Sequence, residues 1–312
     1  MIRPECIKPG DKITIITPAS VVKSEYIHKA CDFLRRNGFE TVVMPYAEGP
    51  SDGSFASTKQ HRLSDFLSVW QDPDIKAVIC GRGGYGATHL LPHIPGKLLS
   101  ENPKWLIGFS DISALHALSV TQGVESIHGP MCRHFNDDDQ GVKAIMDIIT
   151  GSNPLIYEFE RGESSDEKNL PLNHCGEAEG ILIGGNVAVL NGLAATPFDL
   201  FARALNEDCI LFVEDVAEPI YKIERVLYRL LMQGVFSRIK GLIVGQFTEY
   251  KSSVDHLSME TMIEKFLNEN SLTQFPVAYN FPAGHVSPNY PLIEGAMTTL
   301  RTTATSIYIH QE

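Results

Sequence analysis

The chain has no CxxC pair, no H-E-x-x-H, no cluster of basic residues and no apolar run of eighteen residues. Each absence disfavours a class of function. Without CxxC or H-E-x-x-H the usual zinc signatures are missing. The six cysteines (Cys6, Cys31, Cys80, Cys132, Cys175 and Cys209) are scattered, several inside apolar runs such as KAVIC and CILFV. That placement suits buried, reduced thiols rather than a disulfide framework. Lysine and arginine number 26 against 38 aspartates and glutamates, a formal charge of −12. With no basic patch to offset this charge, a nucleic-acid partner is disfavoured and a small molecule is expected. The lack of a long apolar run predicts no membrane span. The N-terminal MIRPECIKPGDKITIITPAS has too short an apolar run for a secretory signal, so a cytoplasmic protein is expected. There is no internal repeat and no low-complexity tract.

What is present reads as a globular α/β protein. With 312 residues, 43% of them hydrophobic, the chain has room for one large or two ordinary domains. KITIITPAS, FETVVMP, IKAVIC and KWLIGF read as strands. SEYIHKACDFLRRNG reads as a helix with Ser24 as cap and Gly38 as stop. STKQHRLSDFLSVWQD reads as a second, with Leu63, Phe66, Leu67 and Trp70 on one face. A third begins at Asp111. Strands alternating with helices predict a mostly parallel sheet covered on both faces. Residues 150–177 are polar and rich in turn formers, which suggests a linker. The expected division is therefore 1–150, a linker over 151–177, and a mixed α/β domain over 178–312.

Four stretches carry candidate chemistry. In GFSDISAL, Ser110 is either a helix cap or a nucleophile on a sharp strand-to-helix turn; capping is the commoner role of such a serine. In ICGRGGYG, Gly81, Gly83 and Gly86 fit the G-x-G-x-x-G of a dinucleotide site, for which Asp111 is the only ribose-binding acid in place. The same glycines also read as a plain tight turn, or as a turn whose N–H groups at Gly84 or Tyr85 meet an oxyanion. CILFVEDVAEP puts Glu214 and Asp215 where a buried strand ends, a place that faces a ligand crevice or simply solvent. GHVSPNYPLIEG holds His285 in a loop rich in proline and glycine, where a base or an exposed histidine would both fit. Ser110, Glu214 and His285 run in the chain order of an α/β-hydrolase triad, although Ile112 stands where the nucleophile elbow has its second glycine. His128, Cys132 and His134 cluster in HGPMCRH, and His89 and His93 are four apart but separated by Pro92; neither group has standard metal-ligand spacing.

GRGGYG, GFSDISAL, HGPM, AEGILIGGN, LFVEDVAEPIYKIER and GHVSPNYPLIEG occur in one order between about residues 10 and 300. Together they resemble the LD-carboxypeptidase family of serine peptidases, the muramoyltetrapeptide carboxypeptidase and microcin C immunity family. The resemblance implies an N-terminal parallel-sheet domain of flavodoxin-like or class I glutamine amidotransferase-like type, and a smaller, swivelling mixed α/β domain. It implies Ser110 as nucleophile, His285 as base, Glu214 as acid, and the backbone N–H groups of Gly84 and Asp111 as oxyanion donors. It implies no metal or organic cofactor, a homodimer, and release of terminal D-alanine from the tetrapeptide of peptidoglycan fragments. Arg82 is a candidate partner for the substrate carboxylate, since a guanidinium binds a carboxylate bidentately, and it reads equally as a surface arginine. Three other readings remain at this point: a microcin-type peptide antibiotic hydrolase with the same triad, a nucleotide-dependent oxidoreductase built on GRGGYG, and a two-lobed binding protein without turnover.

Overall fold

The computed structural model describes residues 1–160 and 170–312. They form two compact units, Met1–Asn153 with Ser287–Gly295, and Pro154–Val286 with Ala296–Glu312. The first unit alternates β1 (Lys12–Ile16), α1 (Ser24–Arg36), β2 (Glu40–Val43), α2 (Lys59–Gln71), β3 (Ile75–Cys80), α3 (Leu98–Glu101), β4 (Trp105–Gly108), α4 (Ser113–Thr121), β5 (Ser126–His128) and α5 (Gln140–Thr150). These strands pair in parallel in the order 2-1-3-4-5, the order of an open, doubly wound sheet. From β1 the chain builds outward first to β2 and then, on the other side, to β3. Right-handed crossovers therefore send helices to both faces. Burial on both faces explains the continuous apolar runs: Ile13, Ile15, Ala77, Val78, Ile79, Leu106 and Ile107 are all fully buried. Helix α4 is buried from Ser113 to Val120, which is why it is apolar almost all round. The loops after β1, β3 and β4 meet at the carboxyl edge of the sheet, where such folds place their ligands.

The second unit has a mixed sheet. Its strands are β6 (Leu155–Glu160), β7 (Gly176–Asn186), β8 (Cys209–Val216), β9 (Gly241–Thr248), β10 (Val277–Ala278), β12 (Met297–Thr302) and β13 (Ser306–Gln311), in the order 10-9-8-7-12-13-6. Strands β7 to β10 are parallel; β12, β13 and β6 complete the sheet antiparallel. Between them lie α6 (Val187–Asn191), α7 (Ile220–Gln233) and α8 (Met259–Glu269). Among the described residues no helix is long and apolar enough to cross a membrane.

Several details differ from the expectations. The stretch 151–177 contributes β6 and the start of β7, and its residues 161–169 lie outside those described. Ser287–Gly295, expected with the C-terminal domain, folds into the first unit, because β11 (Leu292–Glu294) pairs antiparallel with β5. Ser24 is the first helical residue of α1; Lys23 is the cap and offers no side-chain bond. The buried stripe of α2 is Arg62, Asp65, Phe66, Val69 and Trp70, with Leu63 and Leu67 only half-buried. Arg62 can stand in the buried stripe because its guanidinium is hydrogen-bonded there. It donates to the carbonyls of Ser57, Pro18 and Gly86, and it lies 4.9 Å from the Phe55 ring centroid.

Arg62 ties the loops after β1 and β3 to the start of α2. Arg62→Met keeps the bulk and removes the donors, so stability should fall by about 2–4 kcal/mol. Urea unfolding measures this; an unchanged midpoint would mean that the carbonyls find other donors.

Candidate active site

Strand β4 ends at Gly108, and the chain turns at once. Phe109 is extended, with φ −151° and ψ −174°, and Ser110 has φ 66°. That left-handed conformation costs a residue with a β-carbon about 1–2 kcal/mol and lifts the side chain out of the strand-to-helix path. A short 3₁₀ turn, Ser110–Ile112, then leads into α4. The residues in the cap positions of the turn and of α4 are Phe109 and Ile112, and neither makes a side-chain capping bond. Ser110 therefore stands inside the turn, half-buried, rather than in front of a helix as a cap.

The glycine turn after β3 packs on this serine. A β-carbon at Gly83 would stand 2.8 Å from Ser110 Cβ, so only glycine fits there. Two N–H groups of the turn are already used: Tyr85 N donates to Ser20 Oγ at 3.1 Å, and Ala87 N to Asp111 Oδ2 at 2.8 Å. Among the described residues the N–H groups of Gly84 and Asp111 take no part in these bonds. Asp111 is 4% exposed, and burial pushes its carboxyl above the usual range despite the Ala87 bond and the Arg62 charge. The only acid available for a ribose is thus committed to the turn itself, which removes the main support of the dinucleotide reading. Arg82 is exposed, and its Nη1 donates to the carbonyl of Val21 at 3.1 Å.

In the second unit, Glu214 lies near the end of β8 and is fully buried. The pairing of β8 with β9 slips beside Glu214: Val213 pairs with Val244 but Asp215 with Phe247, so β9 carries one extra residue opposite Glu214. The loop after β10 crosses directly over it. Gly284 has φ +119°, and a β-carbon there would lie 2.8 Å from Glu214 Oε2. The next residue, His285, places Nδ1 2.8 Å from that oxygen. A carboxylate only accepts, so Nδ1 carries the proton and Nε2 of the neutral ring keeps its lone pair. Burial disfavours the charged imidazole, but the bond and charge of Glu214, with Asp215 and Glu249, outweigh it and raise His285 above its usual 6.5.

Asp215 was singled out in the sequence only as a neighbour of Glu214. It accepts from Asn186 Nδ2, Ala188 N and Val216 N, and so joins the ends of β7 and β8. Burial, then the charge of Glu214, pushes it up to about 6. The HGPMCRH cluster is different in kind. His128 and His134 face the Phe109 ring, at centroid distances of 6.1 and 5.9 Å, and burial holds the Cys132 thiol protonated. Among the described residues no group of three or more His, Cys, Asp or Glu is arranged to hold a metal ion. Ser110, Asp111, Gly84 and Arg82 belong to the first unit, Glu214 and His285 to the second.

Two outcomes follow from the Glu214 pair. Gly284→Ala should lower activity about tenfold or more, since the loop must move off Glu214; activity at the wild-type level would show that the loop has slack. If a neutral His285 is required for activity, the rate falls as pH drops through its raised pKa. Glu214→Gln removes the charge that raises it, so the acid limb of the pH–rate profile should move to lower pH. A limb left in place would assign it to another group.

The LD-carboxypeptidase N-terminal domain matches residues 13–129, and the LD-carboxypeptidase C-terminal domain matches residues 179–300. The murein tetrapeptide carboxypeptidase of Pseudomonas aeruginosa is 31% identical, over 89% of this chain and 89% of its own. The microcin C7 self-immunity protein of Escherichia coli is 28% identical, over 89% of this chain and 87% of its own. The crystal structure of muramoyltetrapeptide carboxypeptidase from Oxalobacter formigenes superposes with a TM-score of 0.80 at 27% identity, over 96% of this chain and 98% of that one. With both domains matched along most of its length, the chain belongs to the LD-carboxypeptidase family and is a serine peptidase.

Proposed function

We propose that this peptidase is an L,D-carboxypeptidase that releases the terminal D-alanine of muropeptide tetrapeptides in peptidoglycan recycling. The observation that carries the reading is Ser110 at φ 66°, a strained serine at the carboxyl end of a central strand with glycine packed against it. Nothing in capping requires that strain, whereas a nucleophile elbow does. The relatives that carry murein names supply the substrate class. The six cysteines are free thiols, in keeping with a reducing, cytoplasmic setting.

In this mechanism Ser110 Oγ attacks the carbonyl carbon of the scissile amide while His285 Nε2 takes its proton. Glu214 holds the imidazole through Nδ1 and stabilises its charged form. The oxygen that becomes negative accepts from the N–H groups of Gly84 and Asp111. The C–N bond then breaks, His285 returns the proton to the departing D-alanine amine, and an ester remains on Ser110. Water, activated by the same histidine, hydrolyses the ester and frees the serine. Arg82, exposed beside the glycine turn, serves the free carboxylate of the substrate.

The decisive experiment is D-alanine release from a muropeptide tetrapeptide, followed by mass spectrometry. Ser110→Ala should lower turnover by roughly a thousandfold or more. Its melting temperature should hardly change, because no capping bond is lost. Normal turnover in this variant would end the serine-nucleophile reading. The likeness to a microcin self-immunity protein gives the same assay a second arm. Cleavage of an aminoacyl-adenylate analogue, with the tetrapeptide left intact, would move the substrate to that class.

A further inference from the structure

From α4 the side chain of His116 reaches back to the end of β4, two residues before Ser110. It is fully buried. Its Nε2 lies 2.9 Å from the carbonyl oxygen of Gly108, and its Nδ1 lies 2.9 Å from Ser126 Oγ. A carbonyl has no proton to give, so Nε2 must carry the hydrogen and donate to Gly108. Burial, reinforced by the neighbouring His128 ring at 6.0 Å, pushes His116 down to about 3, so the ring is neutral. A neutral ring with its hydrogen on Nε2 has its lone pair on Nδ1, which accepts the Ser126 hydroxyl. One tautomer satisfies both contacts.

The carbonyl so held is the last of β4. It also accepts from Gly129 N at 2.9 Å, the residue that follows β5. Two donors from different elements thus fix the orientation of the peptide between Gly108 and Phe109. The backbone from there runs through a fully extended Phe109 straight to Ser110 at φ 66°. A left-handed, non-glycine residue persists only where its surroundings over-determine it. On the glycine side that constraint is Gly83 against Ser110 Cβ. On the strand side it is the His116 bond to the Gly108 carbonyl.

We propose that His116 is a positioning residue for the nucleophile: its neutral imidazole, set by Ser126, clamps the Gly108 carbonyl and holds Ser110 in its attacking conformation. This rests on Ser110 being the nucleophile. His116 touches no substrate and exchanges no proton in the reaction. It acts on the placement of Oγ, so it should affect kcat and leave KM alone.

The test is kcat and KM for D-alanine release by His116→Phe, His116→Gln and Ser126→Ala. His116→Phe fills the space without a donor, and kcat should fall by about 10- to 100-fold with KM within about twofold. His116→Gln can place an amide N–H on Gly108 and an amide oxygen on Ser126, so it should restore kcat to within about threefold of wild type. Ser126→Ala leaves the clamp without its tautomer partner and should cost about three- to tenfold in kcat. It also carries the test if His116→Phe does not fold. The acid limb of the pH–rate profile should stay in place in every active variant, because His116 does not titrate there. Wild-type kcat in a folded His116→Phe, or in Ser126→Ala, overturns the proposal. So does a folded His116→Gln as poor as His116→Phe. Absence of D-alanine release by the wild-type enzyme is a different failure, that of the substrate reading.

Discussion

A serine does not rest at φ 66° of its own accord. The rest of the first unit can be read as the set of contacts that keep it there. Strand β4 delivers the chain to the carboxyl edge, Gly83 leaves room for the β-carbon, and α4 departs at once in a new direction. Asp111 fastens the glycine turn to the same corner through Ala87 N, and Arg62 fastens that turn to the loop after β1. Each fastening uses a buried polar group whose hydrogen bonds are made, which is the condition under which such groups stabilise rather than cost. The strain at one residue is thus spread over a network of backbone carbonyls and amides.

The second unit solves a different problem, that of holding a charge in a dry place. Glu214 is fully buried, and His285 Nδ1 donates to it there. A bulge in β9 opposite Glu214 and a left-handed glycine after β10 lie where the two meet, so the backbone is irregular on both sides of the pair. Asp215 adds a second buried carboxylate within electrostatic reach and is held by three donors. Two carboxylates beside one imidazole keep the ring basic against the desolvation that surrounds it.

Much of this was legible in the sequence, for reasons that can be named. The parallel sheet showed in the apolar strand runs. The glycine turn and the serine after GF stood out because backbone demands fall on few residue types. The proposed triad came from six motifs in order, since no local pattern links a serine to an acid about a hundred residues away. Arg62 was missed because a binary pattern counts arginine as surface, and only the placement of three carbonyls makes it core. His116 was missed for the same reason, as one histidine in an apolar helix. Strand β11 was missed because its partner, β5, lies more than 160 residues earlier, beyond any periodicity. Ser24 was read as a cap because its type fits, but the chain enters the helix one residue sooner.

The loan of β11 to the first sheet bears on how the chain comes into being. Synthesis delivers β1 to β5 within the first 128 residues, yet the strand that covers the outer side of β5 arrives only at Leu292. Until then β5 is an open edge with a free row of amides and carbonyls, the kind of edge on which nascent chains stick to one another. Leu292, Ile293 and Glu294 are almost completely buried once in place. A ribosome-bound chain therefore has the four parallel strands of its second sheet, β7 to β10, before its first can close. Cutting the gene near residue 150 would yield an N-terminal piece with an unfinished border and a C-terminal piece carrying a strand that has nothing to pair with.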